Sequence, residues 1–90
     1  KKAFDLFEKA ALKGDSTAQF NLGVIYEEGL GVARNNTEAV KWYSQAADLG
    51  DVEAMRRLGA MYAEGLGVKQ DYKKAFDLFE KAALKGDSTA

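Results

Sequence analysis

Glu27 and Glu28, followed at once by Gly29-Leu30-Gly31, combine the residue types from which an acid–base centre or a phosphate cradle is built. Neither chemistry fits the spacing. Adjacent helical residues point roughly 100° apart, so the two carboxylates cannot share one proton, and no nucleophile stands nearby. They read as solvated charges. Gly29-Leu30-Gly31 and its copy Gly65-Leu66-Gly67 follow a helical pattern and lack both the third glycine of a dinucleotide fold and the Lys-Ser/Thr of a P-loop. Asn35-Asn36-Thr37 fits an N-glycosylation triplet, but an Asn ahead of a helix is better explained as its cap. With no cysteine and no histidine, disulfides, thiolates, imidazole bases and the commonest zinc ligands are absent. The expectation is a non-enzyme, with no catalytic residue, no cofactor and no metal.

Charge and hydropathy narrow the partners. Thirteen Lys+Arg against 14 Asp+Glu leave a net charge of -1, which offers no electrostatic footprint for nucleic acid or an anionic membrane surface. No apolar run approaches the roughly 20 residues that span a bilayer. Ninety residues suit one domain, expected over 1–90. The chain opens on Lys1-Lys2 rather than Met, which reads as a processed or trimmed part of something longer.

The elements that must position any binding residue repeat every 36 residues. Ala18, Leu22, Gly23, Tyr26, Gly29, Gly31 and Val32 recur as Ala54, Leu58, Gly59, Tyr62, Gly65, Gly67 and Val68. Alanines and large apolar residues recur at three- and four-residue steps, the mark of helices. A first helix, A, is predicted over Ser16 to Glu28 and Val52 to Glu64; a second, B, over Lys1 to Lys13, Thr37 to Leu49 and Lys73 to Lys85. The order is B-A-B-A-B. Gly14-Asp15, Gly50-Asp51 and Gly86-Asp87 each place a helix-ending glycine before an N-cap acceptor. Asn35 is expected to cap helix B, with Glu38 reaching back in a capping box and Asp71 repeating the cap. Gly23 and Gly59 each cost about 1 kcal/mol of helix propensity, so they are expected to serve close helix approach. Phe4, Phe7, Trp42, Tyr43, Phe76, Phe79, Tyr26 and Tyr62 are expected to fill the space between hairpins. Asp5 to Lys9 and Asp77 to Lys81 are expected i,i+4 ion pairs on a wet face.

These residues resemble the Sel-1-like repeats, relatives of the tetratricopeptide repeats. Ala18, Leu22, Gly23, Tyr26, Gly29, Gly31 and Val32, then Ala39, Trp42, Tyr43, Ala46, Ala47 and Gly50, carry the pattern, which covers essentially the whole chain. The resemblance implies an all-α, right-handed α/α superhelix of five antiparallel helices, used as a scaffold for protein–protein contacts, often in bacterial or endoplasmic-reticulum complexes. Some secreted bacterial members staple each hairpin with a disulfide, and this chain has none. Leu6-Phe7 and Leu78-Phe79 stand where the pattern has Trp-Tyr, a swap expected to leave the fold intact. By analogy with tetratricopeptide repeats, helix A lines the concave face, so a protein or peptide partner would meet Phe20, Val24, Glu28, Arg56, Ala60 and Glu64. Phe20 beside Arg56 would anchor a small groove; alternatively, Phe20 packs inward and Arg56 and Arg57 are solvated.

Residues 1–18 are identical to residues 73–90, an offset of two periods. The middle copy, residues 37–54, shares only Ala39, Ala46, Ala47, Gly50, Asp51 and Ala54 with them. The sequence reads as an engineered array, or a window onto a longer one, built from a 72-residue unit; a recent natural duplication is the other account. Both ends are B helices lacking one neighbour. A head-to-tail homo-oligomer is expected, through repeat stacking or exchange of the identical terminal helices, with Phe4, Phe7, Phe76 and Phe79 at the contact.

Overall fold

Side-chain caps begin the interior helices, and short glycine turns fold each B helix back along the A helix that follows. The computed structural model describes residues 2–86, and the side chains of residues 5–86. The elements are α1 (Lys2–Leu12), α2 (Ser16–Glu28), α3 (Asn36–Asp48), α4 (Val52–Glu64) and α5 (Tyr72–Gly86). No strand occurs among the described residues. Asp15 and Asp51 accept the N–H groups of Ala18 and Ala54 at 3.1 and 3.0 Å, satisfying orphan donors of α2 and α4. Gly14 and Gly50, at φ +95° and +97°, make the turns before them. Gly86, expected to break α5, is its last helical residue, and Asp87 lies outside the described residues.

Asn35 and Asp71 cap α3 and α5 as expected, each accepting an N–H at 3.1 Å, from Glu38 and Lys74. The return half of the capping box is not made. The Asn35 N–H donates to the Tyr26 carbonyl at 2.8 Å, and that of Asp71 to the Tyr62 carbonyl at 2.9 Å. A carbonyl already fixed at the end of the preceding helix wins over a glutamate side chain that would have to give up rotamer freedom.

The core forms where each A helix lies against its two B neighbours. Ala11, Ala18, Leu22, Ile25 and Trp42 join α1, α2 and α3, and the Gln19 Nε2 donates to the Ala11 carbonyl at 3.0 Å across the first of these contacts. A larger cluster, with Tyr43, Met55, Leu58 and Met61 at its centre, joins α3, α4 and α5. Gly23 earns its place by close approach: a Cβ there would lie 2.5 Å from the Tyr43 ring.

The aromatic residues divide. Trp42 and Tyr43 are buried, and Phe7, Tyr26 and Tyr62 half-buried, but Phe76 is 64% and Phe79 43% exposed. The expectation that all of them fill inter-hairpin space therefore fails at α5, because no described helix covers its outer face. Neither Asp5–Lys9 nor Asp77–Lys81 forms an ion pair within 4.0 Å among the described residues, which corrects that expectation too.

Candidate protein-binding surfaces

Two surfaces present side chains suited to contact: the face shared by α2 and α4, and the exposed outer faces of α1 and α5. On the first, Phe20 and Val24 are half-buried against the core, with the Phe20 ring 5.7 Å from that of Tyr43. Inward packing of Phe20 thus holds in part. Ala60 is half-buried, and Glu28 and Glu64 are exposed.

The cation beside Phe20 is Arg57, not Arg56. The Arg57 Cζ lies 5.8 Å from the Phe20 ring centre, and its Nη1 donates to Glu27 Oε1 at 3.3 Å. Arg56 turns to Glu53, three residues back, at 2.7 Å, in a pair too exposed to contribute much stability. Neighbouring residues on a helix diverge by about 100°, so only one of the two arginines can face α2.

Glu27 is the hinge of this face. Its Oε1 also accepts the Tyr43 hydroxyl at 2.7 Å, so one carboxylate ties α2 to α3 and to α4. This corrects the reading of Glu27 as a solvated charge. Burial, reinforced by the bond to Glu27, raises the Tyr43 hydroxyl pKa well above its ordinary value of 10.0. The group stays a neutral donor. Phe20, Arg57 and Glu27 together make an amphipathic patch over the buried Tyr43, with no nucleophile in it. The tie joins residues 16 and 30 positions apart; the only hint in the sequence was that a buried tyrosine needs a partner for its hydroxyl.

At the ends, Leu6 and Leu12 on α1 are exposed, as are Tyr72, Phe76, Phe79 and Leu84 on α5. Phe7 is half-buried against the core, and the Phe4 side chain lies outside the described residues. Among the described residues no group of acidic side chains is arranged to hold a metal ion, and no helix is long and apolar enough to cross a membrane.

The hairpins fall in register with a known repeat: the Sel1 repeat model matches residues 1–15, 16–51 and 52–87, the last two being α2 with α3 and α4 with α5. The chain belongs to the Sel1 repeat family. This Sel1 array is 42% identical to a Sel1 repeat protein from Oxalobacter formigenes, with a TM-score of 0.90 over 93% of its own length and 35% of the other's. Against c5321, a protective antigen of uropathogenic Escherichia coli displaying an SLR fold, identity is 44% and the TM-score 0.90, covering 92% and 18%. Helicobacter pylori cysteine rich protein B is 31% identical, with a TM-score of 0.89 over 96% and 65%.

Among curated relatives, DAP3-binding cell death enhancer 1 of Rattus norvegicus is 54% identical over 44 residues, 49% of this chain and 9% of that protein. The ERAD-associated E3 ubiquitin-protein ligase component HRD3 of Candida glabrata is 43% identical over 44 residues, 49% and 5%. The array therefore spans less than a tenth of either relative. Sel1 repeats are in general a non-enzymatic fold that mediates protein–protein contact.

Proposed function

We propose that residues 1–90 act as one non-enzymatic scaffold, an engineered or newly duplicated array whose open ends self-associate by repeat stacking or by exchange of the identical terminal helices. One observation carries this reading. Val40 and Tyr43 on α3 are 8% and 0% exposed beneath α4, whereas their counterparts on α5, Phe76 and Phe79, are 64% and 43% exposed. An apolar face of this kind on a helix surface marks a contact site.

The partner that fits best is a second copy. Phe7, Ala10 and Ala11 of α1 pack toward Ala18, Leu22 and Ile25 of α2, and α5 carries the same residues as Phe79, Ala82 and Ala83. Ala82 is already buried in its own copy, so it is through the exposed Phe79 and Ala83 that α5 of one copy offers α2 of the next part of the surface that α1 offers it in cis. Light scattering over a wide concentration range tests this. Mass should grow with concentration and the growth should be suppressed by Phe76→Lys; a strictly monomeric chain at high concentration contradicts the reading.

A second reading places a protein or peptide segment along Phe20, Val24, Glu28, Arg56, Ala60 and Glu64. The Arg57 guanidinium over Phe20 supports it, since Arg and aromatic side chains are common interface anchors. So does the name of the DAP3-binding relative.

A further inference from the structure

The two junctions between successive hairpins share one plan and differ at a large side chain. At the first, Trp42 of α3 is 4% exposed and packs with Ala11, Ala18, Leu22 and Ile25. One period of 36 residues later, Leu78 stands at the position of Trp42, and Ala47, Ala54, Leu58 and Met61 stand where those four stand. The surroundings keep their character while the side chain they enclosed becomes smaller. Beside Leu78, between α3 and α5, lies a groove of about 660 Å³ with Met55, Leu58 and Tyr62 along its floor. Clefts of this order seat ligand groups.

The rim changes together with the Trp-to-Leu exchange. Lys74, Lys81 and Lys85 line the α5 side, where the preceding repeat has Glu38, Gln45 and Leu49. None of these lysines forms an ion pair within 4.0 Å among the described residues, and Lys74 Nζ rests 5.3 Å from the Tyr62 ring centre. Asp77, on α5, and Asp48, on α3, also line the groove. Three lysines outnumber two aspartates, and all three lie on α5, with Asp77 between Lys74 and Lys81.

We propose that this groove is a docking site for an acidic segment of a partner protein that inserts an aromatic side chain beside Leu78 and sets its carboxylates against Lys74, Lys81 and Lys85. The first junction supplies the precedent, because there the same framework encloses an indole. Asp48 repels carboxylates from the α3 side, and Asp77 steers them away from its own position toward Lys81 and Lys85. An apolar anchor in a desolvated floor supplies affinity, and the charged rim supplies orientation and salt dependence. This site stands independently of self-association at the open ends.

The test is fluorescence anisotropy of a labelled Glu-Asp-Trp-Glu-Asp peptide titrated with the full chain. Replacing the peptide tryptophan by alanine should weaken binding at least about tenfold, and so should Leu78→Trp, which fills the groove from within. Lys81→Glu, at an exposed position where folding is not at stake, should weaken binding and flatten its salt dependence. Undetectable binding to the wild type, equal binding of the alanine peptide, or undiminished binding to both protein variants overturns the proposal. It also falls if Leu78→Trp abolishes self-association, because the groove's occupant is then a second copy.

Discussion

Helices α3 and α5 occupy equivalent places in successive repeats, yet among the described residues α3 is held on both flanks and α5 on one. Six α3 residues are buried, among them Val40, Trp42 and Tyr43; on α5 only Ala75 and Ala82 are. The rings of Tyr43 and Phe79 each lie on a glycine of the preceding A helix, Gly23 and Gly59, so the inner contact repeats. What differs is the outer flank. Tyr43 has α4 over it and a hydroxyl tied through Glu27 to Arg57, whereas Phe79 has no hydroxyl, and Ala63 stands where the repeat had Glu27. A helix in this array is stabilised by its neighbours rather than by its own sequence, as expected for a one-dimensional stack.

Truncation should separate the two helices most widely. Tyr43→Ala is expected to cost about 3–5 kcal/mol, the range for large aromatic side chains in a closed core. Phe79→Ala, partly exposed beforehand, should cost less than half of that. Urea unfolding of both variants makes the comparison, and equal losses would break it. The glycines sharpen it further. A Cβ at Gly23 would meet the Tyr43 ring at 2.5 Å and one at Gly59 the Phe79 ring at 3.0 Å. Gly23→Ala should destabilise by about 1–3 kcal/mol because Tyr43 has nowhere to go. Gly59→Ala should be close to neutral: the Phe79 ring swings outward, and the gain in helix propensity of about 1 kcal/mol offsets the shift.

Alkaline titration reads the same asymmetry. The Tyr43 pKa is raised on folding, so its contribution is complete below its ordinary value of 10.0 and declines as pH climbs toward the folded value. Stability should fall above pH 10 by up to about 1.4 kcal/mol per unit from this group, and Tyr43→Phe should remove that slope. Phe79 has nothing to titrate. At neutral pH, the smallest of these effects, Tyr43→Phe should cost about 1 kcal/mol by leaving Glu27 with one partner fewer, measurable as a lowered urea midpoint.

Much of this architecture is legible in the residues. Asp15 and Asp51 before runs of three- and four-step apolar spacing mark α2 and α4 at the bounds the structure has, and Gly23 betrays a close approach by its very cost in a helix. The identity of Gly23's partner is not legible, because Tyr43 reaches it only after the chain has turned back. The same holds for Glu27, whose neighbour Glu28 made both look like surface charge, and for Arg57 against Arg56, where a rotation of one residue decides which guanidinium meets Phe20. Leu78 for Trp42 reads as a conservative exchange along the chain. In three dimensions it lies beside an open groove with a cationic wall.

The difference between α3 and α5 is tested most directly by 19F NMR of the chain labelled with 4-fluorophenylalanine, recorded as concentration is raised. If the open face of α5 is a self-association surface, the Phe76 and Phe79 resonances shift and lose their solvent isotope effect with rising concentration, while that of Phe20 stays in place. Resonances of Phe76 and Phe79 that remain solvent-exposed and unmoved at the highest concentration would contradict it.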